Sequence, residues 1–509
     1  MSRSLRILAY AINGRGMGHL VRQLAILRQV RRLCALADVQ AECWVLTSSE
    51  ADTLARREGF PALKIPSKAM LRDGGLDPHA FLATIRSTVL QAVSSLRPDL
   101  LLVDTFPSGS VGELIPVLEL VPHRVLVARQ VRPEVAGEEA FQAMLPLYTQ
   151  QIVPDERGTG PILIREAEEL LSRDQARAEL GITGERAVYL SLGGGGDLAA
   201  AGTLPRLSQE LRARGWHVVV GAGPLYQGPE LRGPGLTWLS RYVPLELLPG
   251  VDAAVSAAGY NSFHELMFAG IPTVFLPQPR IADDQHARAA RAVDAGAGRL
   301  APTVEAVAAL LEDPGSPAAA RALVPRNGAR VAARQALRGL LSETALDAAD
   351  RALTPTLLTG LRHLRAPGAV PGDELRGVSD LVRSLGPDGL GRFVSLCQER
   401  ALPMQPAVHL ARSLARKFPA AEGPELLAAC ELLLPAWARF DDWMGAISLV
   451  RALPTQRSLS LPAFSRQLTR WLAQEQDLFD ALRRFSRLEE GGARPVSEVL
   501  TILCQQAEA

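Results

Sequence analysis

The segment from Leu5 to Leu20, LRILAYAINGRGMGHL, joins an apolar run to a glycine-rich turn and then to the start of a helical pattern. A strand, a glycine turn and a helix in this order begin a βαβ unit of a parallel sheet. Glycine lets backbone N–H groups approach a ligand closely, and a helix N-terminus attracts negative charge. The segment therefore predicts a doubly wound α/β domain with an anion-binding turn after its first strand.

The same order of strand, turn and helix recurs over the first 300 residues in two sets. The first set predicts strands at Leu5–Ile12, Ala41–Thr47, Leu100–Asp104 and Arg124–Arg129. The second predicts strands at Ala187–Leu192, Trp216–Gly221, Leu236–Tyr242, Ala253–Ala257 and Thr273–Pro277. A polar stretch around Pro154–Pro161 separates the sets and is typical of a hinge. The pattern predicts two Rossmann-like doubly wound domains, residues 1–155 and 156–340, facing each other across a cleft.

Beyond about residue 340 the strand pattern stops, and Leu, Ala and Arg recur at helical spacing. Pro-Gly turns at Pro367–Gly372 and Gly386–Gly391 interrupt the helical pattern. Residues 341–509 are therefore predicted to form an all-α domain, without a fixed-period repeat and without residues that suggest chemistry. Whether this domain docks on the other two or binds a protein partner stays open.

The charges of the chain nearly balance, because 55 basic and 54 acidic residues leave a net charge of +1 in 509 residues. Such a chain has no overall field to attract nucleic acid or anionic lipid. The five cysteines are far apart and odd in number, which favours a reducing compartment over a disulfide framework. The sequence shows neither a signal peptide nor an apolar run of roughly 18 residues. We expect a cytoplasmic protein without a nucleic-acid partner and with at most a peripheral membrane contact.

His19 follows the first glycine turn and lies in the first turn of the predicted helix. The positive end of the helix dipole favours neutral imidazole, which is a general base. Asp104 ends a predicted buried strand, and ligands of open α/β sheets bind beyond the carboxyl ends of strands. An aspartate there can orient His19 and stabilise its charged form. The alternatives are a His19 that caps the helix or packs on a strand, and an Asp104 that caps the following turn.

Four consecutive glycines, Gly193, Gly194, Gly195 and Gly196, follow the first predicted strand of the second domain. Ordering four glycines costs considerable backbone entropy, which a tight turn alone does not require. Close approach of the backbone to a phosphate or its sugar explains them better.

A third cluster, AAGYNSFHE, combines small polar residues with a predicted helix start and ends at Glu265. Gly259, Asn261 and Ser262 suit a phosphate at a helix N-terminus. Two simpler explanations stay open. Ser262 and Glu265 match the S-x-x-E capping box, and Asp284 can be the N-cap of a helix at 285–295.

The order of these motifs resembles that of the GT-B nucleotide-sugar glycosyltransferases over residues 5–340, particularly the peptidoglycan N-acetylglucosaminyltransferases (MurG) of family 28 and the UDP-glycosyltransferases. In those families an N-terminal Gly-x-Gly-His loop faces the acceptor, and G-x-N-S-x-x-E, G-x-P and D-Q motifs hold the donor. Here the motifs read Gly16–His19, Gly259–Glu265, Gly270–Pro272 and Asp284–Gln285. The first half looks most similar to uncharacterised bacterial predicted glycosyltransferases.

The resemblance implies a role for each donor-side residue. Glu265 would bind the ribose hydroxyls, and Asn261 and Ser262 would bind the diphosphate together with the helix start. Asp284 and Gln285 would bind hydroxyls of the donor sugar.

The chain departs from the plant-type members at two places. Tyr242, with Val243, occupies the place of their base-stacking Trp, and Ala257 occupies that of a histidine. Phosphate binding is therefore expected to depend more on backbone amides and the glycine turns, and uridine is the expected base.

On the acceptor side, the resemblance makes His19 the catalytic histidine and Asp104 the aspartate that orients it, with Gly16, Gly18 and Arg22 in the acceptor loop. The implied reaction moves a sugar from a nucleotide-diphosphate sugar, expected to be a UDP-sugar, to an acceptor hydroxyl with inversion. No Asp-x-Asp stands where a clamp for a metal and a diphosphate would be expected, so neither a metal nor a cofactor is expected.

Three other functions stay open. The loop Gly-x-Gly-His-x-x-Arg resembles that of the nucleotide-sugar hydrolase of pseudaminic acid synthesis, in which His19 would activate water and Arg22 would contact the substrate. A nucleotide-sugar 2-epimerase needs further carboxylates, which the motifs do not place. A non-catalytic nucleotide-sugar sensor would use the helical domain to bind a partner.

Overall fold

The computed structural model describes residues 4–13, 16–129, 137–154, 158–192, 198–223, 225–226, 228–239, 244–278, 284–364, 391–399, 402, 404–418, 421, 423–438 and 450. The chain divides into two compact units, Met1–Asp350 and Arg351–Ala509.

The first unit contains two six-stranded sheets whose neighbouring strands are parallel throughout. The first sheet has the order β3-β2-β1-β4-β5-β6, with strands β1 Ser4–Ala11, β2 Gln40–Thr47, β3 Ala62–Lys64, β4 Leu100–Asp104, β5 His123–Val127 and β6 Gln150–Ile152. The second has the order β12-β11-β10-β7-β8-β9, with strands β7 Ala187–Ser191, β8 His217–Val220, β9 Leu236–Trp238, β10 Ala253–Ser256, β11 Thr273–Phe275 and β12 Gly298–Leu300.

The strands are connected mainly by helices. Those around the first sheet are α1 Gly18–Leu36, α2 Thr53–Arg57, α3 Lys68–Asp73, α4 Pro78–Leu96 and α5 Glu139–Met144. Those that follow are α6 Arg173–Leu180, α7 Leu198–Ala213, α8 Tyr260–Ala269, α9 Gln285–Asp294, α10 Val307–Leu310, α11 Pro317–Leu323, α12 Ala329–Leu337 and α13 Glu343–Ala352. Short 3₁₀ helices lie at Ile115–Leu120, Leu145–Leu147, Ala167–Glu169 and Leu245–Gly250.

Each sheet has one point at which the strand order reverses. The first strand of the first sheet, β1, pairs with β4, and in the second sheet β7 pairs with β10. Connections leave such a pair in opposite directions, so a crevice opens beyond the carboxyl ends of the two strands. The turns that the sequence analysis singled out follow β1, β7 and β10, and the predicted aspartate ends β4.

Helix α1 is buried along most of its length, because residues 20–34 are all buried. It packs on the first sheet and also against α8 and α12. Its polar side chains therefore lie away from water and need partners within the protein.

Buried ion pairs supply some of these partners and join the two domains of the first unit. The Arg28 guanidinium lies 2.8 Å from Glu58 and 2.6 Å from Glu169, and Arg32 lies 2.5 Å from Glu169. Arg165 lies 2.8 Å from Glu58. Removing one partner of a buried pair typically costs about 3–5 kcal/mol, so this network resists separation of the domains.

Helix α12 returns the chain to the first domain, where its alanines pack with α1 in one core. Asn327, just before α12, accepts hydrogen bonds from the backbone N–H groups of Leu163 and Ala329 at 2.9 Å. Its amide nitrogen donates to the carbonyl oxygens of Leu163 at 2.9 Å and Arg165 at 3.0 Å. The end of the second domain is thereby tied to the segment that follows β6.

The predicted fold class, two Rossmann-like doubly wound domains, is confirmed. All nine predicted strands are present, although several are shorter than predicted and β9 ends at Trp238. The sequence analysis missed β3, β6 and β12, which are edge strands of three residues each. Such short strands show too few residues for an alternating pattern.

In the second unit the described elements are helices: α14 Pro355–Leu364, α15 at 391–399, α16 Met404–Lys417 and α17 Gly423–Ala438. They agree with the predicted all-α domain, although the predicted turns at 367–372 and 386–390 lie outside the described residues. The predicted boundaries at 155–156 and 340–341 stay predictions. Within the described part of the chain, no helix has both the length and the apolar character needed to cross a bilayer.

Candidate active site

The reversal points of the two sheets lie against each other, because the start of α8 contacts the first domain. The Asn261 side-chain amide donates to the Gly18 carbonyl oxygen at 3.3 Å, and the Tyr260 hydroxyl donates to the Pro154 carbonyl oxygen at 2.8 Å. The turn after β1 therefore faces the turn after β10. This is the cleft that the sequence predicts, and its predicted residues come from both sides.

His19 is the second residue of α1, which begins at Gly18, so it lies in the first turn of the helix as predicted. The side chain of Asn13 caps this helix, since its Oδ1 accepts a hydrogen bond from the Leu20 backbone N–H at 3.0 Å. The alternative explanation of His19 as a helix cap is therefore wrong. Its side chain, 18% exposed, instead pairs with Asp104 across a distance of 2.5 Å from Nδ1 to Oδ1.

Asp104 is fully buried at the end of β4. Both of its carboxylate oxygens accept hydrogen bonds from side chains. Arg22 grips both of its oxygens, with Nε 2.7 Å from Oδ2 and Nη2 2.6 Å from Oδ1. The Thr105 hydroxyl donates to Oδ1 at 2.6 Å. Burial alone would raise the pKa of this carboxyl, but Arg22 and His19 outweigh it and hold the pKa well below its usual range. Asp104 is therefore ionised, and its hydrogen bonds go to side chains rather than to a capped turn.

The surroundings of His19 keep its imidazole neutral. Burial lowers the pKa of His19 below its ordinary value, and the attraction of Asp104 does not restore it because Arg22 and Arg129 add to the lowering. With an ionised carboxylate at Nδ1, the ring proton lies on Nδ1 and Nε2 keeps its lone pair. A neutral imidazole held in this tautomer is the form that a general base requires.

Thr105, to which the sequence analysis assigns no role, contributes to the site. Its φ is +63°, in the left-handed region that a β-branched residue rarely adopts. This turn aims its hydroxyl at Asp104 and brings Oγ1 to 3.3 Å from His19 Nδ1. Ala258, in the turn after β10, also has a positive φ of 60°. Strained backbone thus occurs in the turns after β4 and β10.

On the donor side, α8 begins at Tyr260 and its N-cap is Gly259. Ser262 therefore lies inside the first turn and not at the cap. The capping-box explanation of Ser262 and Glu265 is wrong, because the helix begins three residues before that box would allow. Arg288, from α9, donates to the Ala258 carbonyl oxygen at 2.5 Å and lies beside this helix start.

Two buried polar atoms near this helix start have no hydrogen-bond partner among the described residues. Ser256 Oγ and Asn261 Oδ1 are buried atoms of this kind. Glu265 is 8% exposed, and burial raises its pKa to about 8 against the opposing charge of Arg165. Buried polar groups normally have partners, and each group without one costs about 1–3 kcal/mol. Groups of this kind are available for hydrogen bonds with a ligand.

Asp284 and Gln285 lie at the start of α9. Asp284 Oδ1 accepts from the Ala287 backbone N–H at 3.0 Å, so the alternative explanation of Asp284 as an N-cap is confirmed. Gln285 is buried, and its Oε1 accepts from the Gln278 backbone N–H at 2.8 Å. Their predicted contacts with a donor sugar stay predictions.

The remaining predicted residues divide into two groups. In the acceptor loop, the Gly16 carbonyl oxygen accepts from the Ser49 hydroxyl at 3.1 Å, and Arg22 is buried behind Asp104. The other group lies outside the described residues and comprises Gly193, Gly194, Gly195, Gly196, Tyr242 and Val243.

The chain is 30% identical over 129 residues to the UDP-N-acetylglucosamine--N-acetylmuramyl-(pentapeptide) pyrophosphoryl-undecaprenol N-acetylglucosamine transferase of Clavibacter sepedonicus. The protein of the same name from Clavibacter michiganensis subsp. michiganensis is similar to the same extent. The resemblance to the GT-B glycosyltransferases is confirmed. The match covers 25% of this chain and 35% of each relative, so the chain spans about a third of the length of these curated relatives. No family model matches the chain.

Solved structures with a similar chain fold include two from bacteria. The Streptomyces sp. SF2575 glycosyltransferase SsfS6, complexed with thymidine diphosphate, has a TM-score of 0.47 at 19% identity and covers 64% of this chain and 98% of that chain. The UDP-GlcNAc 2-epimerase from Neisseria meningitidis, bound to UDP-GlcNAc, has a TM-score of 0.41 at 12% identity and covers 66% of this chain and 99% of that chain.

The state of Glu265 makes a prediction about stability. Because its pKa is about 8 in the folded protein against 4.5 for an ordinary glutamate, the folded protein binds more protons than the unfolded chain between these values. The free energy of unfolding therefore falls as the pH rises through that window. Glu265→Gln removes this loss, and we expect the variant to be more stable than the wild type by about 3 kcal/mol at pH 7, with no difference near pH 4.5.

Urea unfolding of the two proteins between pH 5 and pH 9, buffers chosen at roughly one-unit steps, measures the difference. The exposed Glu185→Gln is the matched control, and it should follow the wild type at every pH. A Glu265→Gln variant that is no more stable than the wild type at pH 8 contradicts a raised pKa of the Glu265 carboxyl.

Proposed function

We propose that this chain is a glycosyltransferase that moves a sugar from a nucleotide-diphosphate sugar to a hydroxyl group of an acceptor. The observation that carries the proposal is the pairing of two unlike surfaces across the cleft. One is a neutral histidine held by a buried aspartate, and the other is a helix start with polar groups that lack partners. A base on one side and a site for an anionic donor on the other are what glycosyl transfer to a hydroxyl requires.

The donor would bind on the second domain. Its diphosphate fits the N-terminus of α8, where backbone N–H groups and the helix dipole favour negative charge. Ribose hydroxyls would donate to the Glu265 carboxylate, which lowers its raised pKa, and Asn261 Oδ1 would accept a further hydroxyl proton. Asp284 and Gln285 remain the proposed contacts of the donor sugar. The curated relatives are named as UDP-N-acetylglucosamine transferases, which supports a UDP-sugar.

In the reaction, His19 Nε2 takes the proton of the acceptor hydroxyl as the hydroxyl oxygen attacks the anomeric carbon. The new carbon–oxygen bond forms while the bond to the diphosphate breaks, and the bonding electrons leave with the diphosphate. Attack from the face opposite the leaving group inverts the anomeric centre. Asp104 stabilises the imidazolium without taking its proton, as in other Asp–His pairs.

General-base help of this kind contributes roughly 10²–10⁴-fold, or about 3–5 kcal/mol of a typical total of about 8–23. Most of the acceleration must therefore come from stabilising the diphosphate and from aligning donor and acceptor. We propose that the dipole of α8 and the glycine turns stabilise the diphosphate, without a metal ion.

The placement of Arg22 bears on the rival hydrolase. That reading gives Arg22 the role of a substrate contact, but its side chain is 2% exposed and both its Nε and its Nη2 bond Asp104. Arg22, which the hydrolase would use to contact its substrate, therefore lies behind His19 and contacts Asp104. The sensor reading makes no use of the neutral His19 held by Asp104.

The substitution His19→Ala tests the proposal. The donor is first found by a thermal-shift screen of nucleotide sugars, in which a ligand at 100 times its Kd adds about 2.7 kcal/mol of stability. With that donor, we expect kcat to fall roughly 10²–10⁴-fold in His19→Ala while the donor Kd stays unchanged, because the base contacts the acceptor. His79→Ala, an exposed histidine on α4, is the matched control.

Product analysis in the same assay separates the rivals. Free sugar released at a rate that no acceptor changes supports the hydrolase, and a donor that binds but is never turned over supports the sensor. Either result contradicts transfer to a hydroxyl acceptor.

Metal independence makes a second prediction. Because the proposed diphosphate site consists of backbone N–H groups and a helix N-terminus, turnover in excess EDTA should match turnover in magnesium to within about twofold. Initial rates with EDTA, with EDTA followed by Mg²⁺, and with Mn²⁺ measure it. A strict requirement for either ion would overturn this part of the mechanism.

A further inference from the structure

Tyr260 is the first residue of α8, in the second domain, yet it contacts the first domain at two places. Its hydroxyl donates to the carbonyl oxygen of Pro154, which follows β6, at 2.8 Å. Its ring faces Arg22 of α1, with the guanidinium carbon 5.0 Å from the ring centroid. In the donor motif Tyr260 fills a variable position between Gly259 and Asn261, so the motif gives it no role.

Arg22 is the residue through which these contacts reach the catalytic pair. Its guanidinium grips both oxygens of Asp104, and Nη2 also lies 3.1 Å from His19 Nδ1. A guanidinium is planar, and a bidentate pair requires it to lie close to the plane of the carboxylate. A cation over the face of an aromatic ring, within about 6 Å of the ring centroid, is attracted to the ring, and this attraction opposes its movement. The guanidinium carbon of Arg22 lies within this range, 5.0 Å from the centroid of the Tyr260 ring.

We propose that Tyr260 is a positioning residue, whose ring holds the Arg22 guanidinium in the plane that grips Asp104 and thereby keeps His19 neutral with its proton on Nδ1. Because α8 carries this ring, the catalytic pair is complete only while the donor-side helix lies against α1. The inference rests on the proposed role of His19 as the base, and it adds that the donor side assembles that base.

The charged groups around the Tyr260 ring decide whether removing the ring raises or lowers the pKa of His19. The charged groups that face His19 are Asp104 at the end of β4, Arg22 on α1 and Arg129 after β5. The guanidinium carbons of Arg129 and Arg288 each lie 5.7 Å from the Tyr260 ring centroid, so the ring contacts three cations. Removing the ring admits water and lets Arg22 leave its plane. Hydration and weaker repulsion both raise the pKa of His19.

Two substitutions separate the ring from the hydroxyl. Tyr260→Leu removes the ring, whereas Tyr260→Phe keeps the ring and loses only the hydrogen bond to Pro154. In the full chain labelled with ¹³C-histidine, the His19 resonance is assigned by its loss in His19→Gln and titrated with pH. We expect the His19 midpoint to rise by about one pH unit in Tyr260→Leu, a tenfold change in its proton affinity, and to stay at the wild-type value in Tyr260→Phe.

His217 is the internal reference. It lies on β8, which β7 separates from β10, and its Nε2 lies 2.9 Å from the Thr237 hydroxyl. An unchanged His217 titration shows that the variant is folded. If Tyr260→Leu does not fold, Tyr260→Met replaces the ring with an unbranched apolar chain and has the same expected shift. A folded ring-free variant whose His19 midpoint equals that of the wild type overturns the proposal, and so does a Tyr260→Phe variant that shifts as far as Tyr260→Leu.

Turnover gives a second readout. With the donor found by screening, we expect kcat of Tyr260→Leu to fall about 3- to 30-fold, with its acid limb moved to higher pH. A rise in donor KM with kcat and the acid limb unchanged indicates damage to the donor site alone and contradicts the positioning role. A wild-type chain that transfers no sugar contradicts the proposed function, but the His19 titration still decides whether Tyr260 positions Arg22.

Discussion

The buried carboxylate of Asp104 is the constraint on which the cleft depends. Taking a charge out of water costs several kcal/mol even in a relaxed protein, so the residue is tolerable only with matched donors on both oxygens. Arg22, His19 and Thr105 supply them. The need for these donors explains why Arg22 is buried in α1 and why Thr105 has a positive φ. The catalytic tautomer of His19 is a consequence of the same arrangement.

The two sides of the cleft differ in how their polar groups are satisfied. On the first domain, the Asp104 cluster has its hydrogen bonds and is pre-organised. On the second, Ser256 and Asn261 hold polar atoms without partners among the described residues, and burial raises the pKa of Glu265. Unpaired groups of this kind lower stability, and proteins keep them where a ligand completes them. The base, His19, is thus held in place before the donor binds, whereas the donor site has polar atoms that a ligand would satisfy. This difference is consistent with a donor that binds and leaves in each catalytic cycle.

Sequence reasoning succeeded where topology alone places a residue. His19 follows β1 and Asp104 ends the neighbouring parallel strand β4, so the reversal of strand order brings them together without further information. It left alternatives open where the exact start of a helix decides between them: the S-x-x-E pattern of Ser262 also fits a helix interior, and the structure excludes the capping box by placing the N-cap at Gly259. Contacts across the two domains, such as Tyr260 with Arg22, depend on how the domains pack and leave no mark in local spacing.

The central claim is that the cleft holds a nucleoside diphosphate against the start of α8, and a crystal structure of the full chain with UDP tests it most directly. The account predicts the terminal phosphate within hydrogen-bond distance of the α8 backbone N–H groups, and the ribose hydroxyls on Glu265. A nucleotide bound elsewhere on the chain, or bound in the cleft without a contact between its ribose and Glu265, would contradict it.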